Sequence, residues 1–149
     1  VYLVDAHDRL GQTEAALLCQ KQAAEYVSRA EDSPRAAVLL EDLAARLADL
    51  GRPAEADAAL DAAIARFQSA GAAADAARAL VTGGQRRLAR GDAKAAIRLL
   101  QKAAEVAGDA GELDAEVAAW EALADAWKKQ GNAQMADGCA ARAELLKGE

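Results

Sequence analysis

Glycine recurs at a fixed interval of forty residues, as Gly11, Gly51, Gly91 and Gly131. Two alanine columns keep step with it: Ala16, Ala56, Ala96 and Ala136, then Ala23, Ala63, Ala103 and Ala143. The stretch from Trp120 to Ala143 carries the unit most fully. Trp120, Leu123, Ala124 and Trp127 lie three, four and seven apart and so share one helical face, Gly131 ends that helix, and the small residues beyond it let a second helix fold back closely. Each period therefore reads as a helical hairpin, with an A helix before the glycine and a B helix after it. Alanine matches alone prove little, because 44 of the 149 residues are alanine. At a frequency of roughly 0.3, eight aligned alanines arise by chance about once in 10⁴ trials. The glycines are the stronger sign, since the chain holds only 11 and four of them keep the register.

The wealth of alanine and the presence of only two prolines favour helix throughout. A coiled coil would suit the composition but not a glycine every forty residues. The expected architecture is all-α: about four forty-residue repeats stacked as a right-handed α-solenoid of antiparallel hairpins, eight helices with the first incomplete, and Trp120 and Trp127 buried. Residues 1–149 are read as a single helical-repeat domain. It begins at Val1 in mid-repeat without an initiating methionine, so it is expected to be a piece of a longer chain.

In order along the chain, Val1 to Leu10 reads as the end of a first A helix, with Leu3 and His7 where the fourth repeat has Leu123 and Trp127. A B helix follows from Gln12 to Val27, then punctuation from Ser28 to Pro34, where Ser33 and Pro34 make a helix start. The second hairpin turns at Gly51, Arg52 and Pro53, with Leu40, Leu43, Ala44 and Leu47 inward on one side and Ala56, Leu60, Ala63, Ile64 and Phe67 on the other. In the third, Leu80 stands in the place of Trp120, Gly83 and Gly84 replace the large and small pair, and Arg87 replaces the second aromatic. Two glycines inside a helix cost about 1 kcal/mol each against alanine, so this helix is expected to be either the loosest or closely approached by a neighbouring backbone. The fourth hairpin runs from Leu113 to Gln130 and from Asn132 to Lys147.

Several functions are disfavoured at this level. A formal charge of −6 and five aromatics argue against nucleic acid and anionic membranes as partners. No run of apolar residues approaches a membrane span, and no secretory leader is recognisable. Thr82, Gly83 and Gly84 do not form a phosphate loop, because no lysine and hydroxyl pair follows at the required distance. Cys19 and Cys139 hold equivalent places in the first and last repeats, too far apart to bridge, and read as small buried thiols of a reducing, cytoplasmic protein. His7, the single histidine, sits at a packing position, and no nucleophile, base and orienting group can be assembled. The expectation is a protein that is not an enzyme and uses no cofactor or metal, any catalysis requiring a site outside this sequence.

The order of tryptophan, leucine, small residue and aromatic, then glycine and two alanine columns, resembles the tetratricopeptide repeat (TPR). The forty-residue period implies longer helices than the usual thirty-four-residue unit, a length shared with HEAT repeats; the Trp120 to Ala143 signature favours the long-helix branch of the TPR superfamily. Within that branch the chain looks like the soluble NSF attachment proteins, most of all their gamma class, on Ala56, Ala96 and Ala136 and on helix lengths matching from about Asp32 to Ala143. That resemblance implies an adaptor that lays a helical sheet along a bundle of membrane-fusion helices and recruits a disassembly ATPase, in vesicle fusion and intracellular protein transport. Bacterial regulators with forty-residue TPR-like arrays carry a similar spacing and form the alternative.

The A helices of such an array line its concave face, where the pattern places Glu41, Asp42, Asp49, Arg78, Gln85, Glu121, Asp125 and Lys128. The attachment proteins use basic residues against an acidic bundle, whereas these positions are largely acidic. The paired lysines and asparagines of carboxylate-clamp TPR domains are absent as well, so the expected partner is a helical, basic or mixed-charge protein segment. Charge is also segmented: seven basic residues lie between Arg78 and Lys102, and seven acids with no base between Glu105 and Asp125. Within the basic block, Lys94, Arg98 and Lys102 are spaced four apart and form one outward stripe on a B helix, a second candidate partner surface.

Overall fold

The computed structural model describes residues 2–30 and 34–148. These form seven helices: α1 (Tyr2–Ala30), α2 (Pro34–Asp49), α3 (Pro53–Ser69), α4 (Ala73–Ala89), α5 (Ala93–Ala110), α6 (Leu113–Gln130) and α7 (Ala133–Lys147). No strand occurs among the described residues.

Three of the four register glycines turn the chain as expected. Gly51 has φ +75°, a region open to glycine without the Cβ clash that other residues meet. Its amide donates to Ala48 O and that of Arg52 to Leu47 O, which satisfies the last carbonyls of α2 in a Schellman motif. The same pair of bonds closes the turns at Gly91 and Gly131. Turns at Gly71 and Gly111 follow the B helices with φ of +73° and +71°, so the punctuation recurs every twenty residues from Gly51 onward. On the far side of these turns Asp92 accepts from the Ala95 amide at 3.2 Å and Asn132 from the Met135 amide at 3.1 Å, capping α5 and α7.

Gly11 behaves differently. α1 runs straight through it from Tyr2 to Ala30, so the first expected hairpin is one helix and there are seven helices where eight were expected. Keeping the helical hydrogen-bond ladder through a glycine costs about 1 kcal/mol. Folding back would have to be repaid by burial, and the segment before Gly11 carries Leu3 and His7 where the fourth repeat carries Leu123 and Trp127. The Ser33 cap and the side chains of Leu3 and His7 lie outside the described residues. One consequence is plain on α1: Ala23 is exposed, whereas Ala63, Ala103 and Ala143 of the same column are buried. Cys19 is likewise exposed rather than buried, while its counterpart Cys139 is buried, and both thiols are free.

Burial pushes the Cys139 thiol above its usual pKa, so its reactive thiolate is scarcer in the folded state. N-ethylmaleimide at neutral pH is therefore expected to modify Cys19 at once and Cys139 only after denaturant is added. Peptide mapping with equal early labelling of the two would contradict this.

The helices fall into two compact units, residues 1–70 and 71–149. In the first, α2 packs on α3, burying Leu43, Ala44 and Leu47 of one and Ala56, Leu60, Ala63, Ile64 and Phe67 of the other. α1 lies against α2 and runs antiparallel to it: Glu14 pairs with Arg52 just past the end of α2, and Gln20 Nε2 donates to Leu39 O at 3.3 Å. In the second unit each helix packs on the next, and the two A helices α4 and α6 also touch each other. Gly83 and Gly84 are buried in α4. A Cβ added at Gly84 would meet Leu100 Cγ at 2.6 Å, so the close approach is by a side chain of α5 rather than by backbone. Trp120 and Trp127 are half-buried, not buried; the buried residues of α6 are Ala119, Ala122, Leu123 and Ala126.

Candidate interaction surface

Helical periodicity divides each A helix between a packed side and a solvated one. On α2, Leu43, Ala44 and Leu47 are buried, and Asp42 and Asp49 stand exposed; Glu41 is half-buried. On α4, Arg78 and Gln85 are exposed beside buried Ala77, Leu80 and Gly84. On α6, Glu121, Asp125 and Lys128 are exposed between buried Leu123 and Ala126 and half-buried Trp120 and Trp127. All eight sequence-predicted positions thus lie on A helices, and seven of the eight are exposed. Within the second unit, α4, which carries Arg78 and Gln85, neighbours α6, which carries Glu121, Asp125 and Lys128.

Some of these charges are engaged. Arg78 Nη2 lies 3.0 Å from Asp75 Oδ1 one turn earlier on α4. Glu121 Oε1 lies 2.5 Å from Lys147 Nζ of α7, and Glu144 stands 3.2 Å from the same ammonium. The hydrogen bonds from Glu121 first and Glu144 second hold Lys147 charged above the usual lysine range, so this link weakens only as pH rises through that raised value. No fixed sequence spacing joins positions across a hairpin, and the Glu121 to Lys147 contact was for that reason not legible beforehand. Asp42, Asp49, Asp125 and Lys128 form no ion pair among the described residues.

The basic stripe is a run of exposed charge of one sign. Lys94, Arg98 and Lys102 are all exposed on α5, opposite buried Ala96, Leu100, Ala103 and Ala107, and none of the three is ion-paired among the described residues. At four-residue spacing they follow one line along the helix for about 12 Å. Trp120 Nε1 donates to Glu116 Oε1 at 3.4 Å, so one acid of the following acidic block is held within α6 itself. Among the described residues no three His, Cys, Asp or Glu side chains converge as metal ligands, and no helix is long and apolar enough to cross a membrane.

No family model matches the sequence, and no curated protein matches it either. Solved structures do match in fold. BtubC (BKLC) from P. vanneervenii superimposes with a TM-score of 0.76 at 20% identity over 98% of this chain, which spans 61% of the length of that one. A putative kinesin light chain of nearly identical TPR-like repeats from Podosopora anserina gives 0.71 at 18% identity, over 97% of this chain and 72% of that one. The N-terminal domain of stress-induced protein-1 (STI-1) from C. elegans gives 0.67 at 17% identity, over 76% and 85%. At these identities the likeness is one of fold, and the fold is an all-α, TPR-like helical-repeat solenoid.

Proposed function

We propose that the chain is a non-catalytic scaffold that binds protein partners through the exposed faces of its helical repeats. The observation that carries this reading is the unpaired stripe Lys94, Arg98 and Lys102, presented by a helix whose opposite side is fully committed to packing. A line of like charges held at fixed spacing by the helix backbone, and uncompensated among the described residues, is complementary to a helix of opposite charge. The A-helix residues offer further candidate surfaces, an acidic one at Asp42 and Asp49 in the first unit, suited to a basic segment, and a mixed-charge one at Asp125 and Lys128 in the second. The specific form we favour is an adaptor of the soluble NSF attachment type, a cytoplasmic protein that engages a bundle of membrane-fusion helices through the stripe. We read residues 1–149 as one array serving that role.

The test is a pull-down with an assembled fusion-helix bundle at low and moderate salt. Retention is expected at low salt, weakening as salt screens the stripe, and falling by about tenfold when Lys94, Arg98 and Lys102 are all changed to glutamate. Absence of retention at low salt would remove the adaptor and leave the interaction module of a bacterial regulator as the working alternative.

A further inference from the structure

The first unit contains a groove that the exposed charges described so far do not use. α1 and α3 both run antiparallel to α2 and stand on either side of it, and α1 packs on α2 less extensively than α5 does on α6. The gap that results measures about 480 Å³, floored by Leu40, Leu43 and Leu47 of α2 and walled by Leu17 and Leu18 of α1. Ala58, Ala59 and Ala62 of α3 form the opposite wall, too small to close it. Leu18 is 57% exposed at the lip. Eighty residues on, the positions of Leu40 and Leu47 carry the half-buried Trp120 and Trp127, so in the fourth repeat indoles stand where these leucines leave room.

Charges are arranged around this apolar trough in a fixed order. The Arg52 and Glu14 pair bridges the two walls at one end. Glu55 stands on the α3 wall near that end, level with residue 15 of α1 by the repeat register, and Glu25 stands on the α1 wall ten residues farther along, an offset of about 15 Å along the helix axis. Lys21 lies between them, and Arg66 of α3, whose side chain has a partner of its own, lines the groove level with residue 26 of α1 by the same register. Glu25, Glu55 and Lys21 are exposed and make no ion pair among the described residues.

We propose that this groove docks an amphipathic α-helix of a partner protein, one bearing apolar side chains at i, i+4 and i+7 bracketed by basic residues about ten positions apart. Leu40 to Leu47 spans about 10 Å, the reach of such a triplet, and the volume accepts about three apolar side chains while the backbone of the occupant stays outside. The brackets meet Glu55 and Glu25, and an acid midway meets Lys21. The site goes beyond the scaffold surfaces proposed above: it shares no residue with them, and it lies in the compact unit that does not hold the basic stripe.

Fluorescence anisotropy with the 149-residue chain and two labelled synthetic helices tests it. One peptide carries the leucine triplet with lysine brackets, and the other has the same triplet with glutamate brackets. The lysine-bracketed peptide is expected to bind with a Kd on the order of 10 μM, and the other about tenfold more weakly. Leu18→Glu, a change at an exposed position that spares the fold, is expected to weaken the first by about tenfold. Glu25→Lys with Glu55→Lys is expected to invert the preference between the peptides. Reversal of Lys94, Arg98 and Lys102 is expected to leave the affinity within about twofold, which separates this groove from the stripe. Equal affinity for the two peptides, no binding of either up to about 1 mM, or indifference to Leu18→Glu overturns the proposal. So does a dimer detected by light scattering and abolished by Leu18→Glu, which would make a second copy the occupant.

Discussion

Gly84→Ala is expected to destabilise the protein by about 1–3 kcal/mol, although glycine to alanine inside a helix ordinarily stabilises by about 0.5–1 kcal/mol. The new Cβ would lie 2.6 Å from Leu100 Cγ and 2.8 Å from its Cδ2. Leu100 is fully buried, so its branch cannot swing into solvent to relieve the clash. Gly138, in α7, has nothing within 4 Å of an added Cβ and is exposed, which makes Gly138→Ala the matched control in which only propensity acts. Leu100→Ala alone should cost about 2–5 kcal/mol through the cavity it leaves. In the double variant the alanine methyl at position 84 occupies part of that cavity, so the two costs should fall short of their sum by at least about 1 kcal/mol. Urea melts of the parent protein and the four variants measure this directly. Additivity to within about 0.5 kcal/mol would show that the α4 to α5 approach is not set by this pair.

That contact also marks what the sequence could and could not convey. Adjacent glycines in a helical pattern signalled either weakness or close approach, and nothing local could choose between them, because the deciding atom belongs to Leu100, sixteen residues away. The register glycines were legible because a left-handed turn residue is a local requirement: Gly51, Gly91 and Gly131 have positive φ whatever surrounds them. Gly11 shows the limit of that logic. A glycine permits a turn without enforcing one, and only burial against a neighbouring helix repays the bend. The same limit governs the tryptophans. Spacing placed Trp120 and Trp127 on the packed side, but how deeply a side chain sinks depends on the helices beside it, and α6 buries its alanines and Leu123 while leaving both indoles half-covered. For the surface, exposure followed from periodicity. Pairing did not, since the Glu121 to Lys147 bridge joins residues on opposite arms of a hairpin.

Phe67→Ala should produce the largest single loss, about 3–5 kcal/mol. Phe67 is the chain's one phenylalanine, fully buried near the end of α3, in a unit whose other large buried side chains among the described residues are Leu17, Leu43, Leu47, Leu60 and Ile64. A 70-residue unit has a net stability of roughly 4–10 kcal/mol, so the deletion removes about 30% of it or more and can leave the unit marginal at room temperature. In a repeat array stability is a sum of local terms and nearest-neighbour couplings, and the loss need not spread evenly. Amide hydrogen exchange should show the protection of α2 and α3 collapsing in the variant, while α6 and α7, which lie in the other compact unit, keep theirs. Equal loss in all four helices would mean that residues 1–70 and 71–149 unfold as one cooperative body. The groove lined by Leu17, Leu40 and Leu43 would then report on the stability of the whole chain rather than on that of its own three helices.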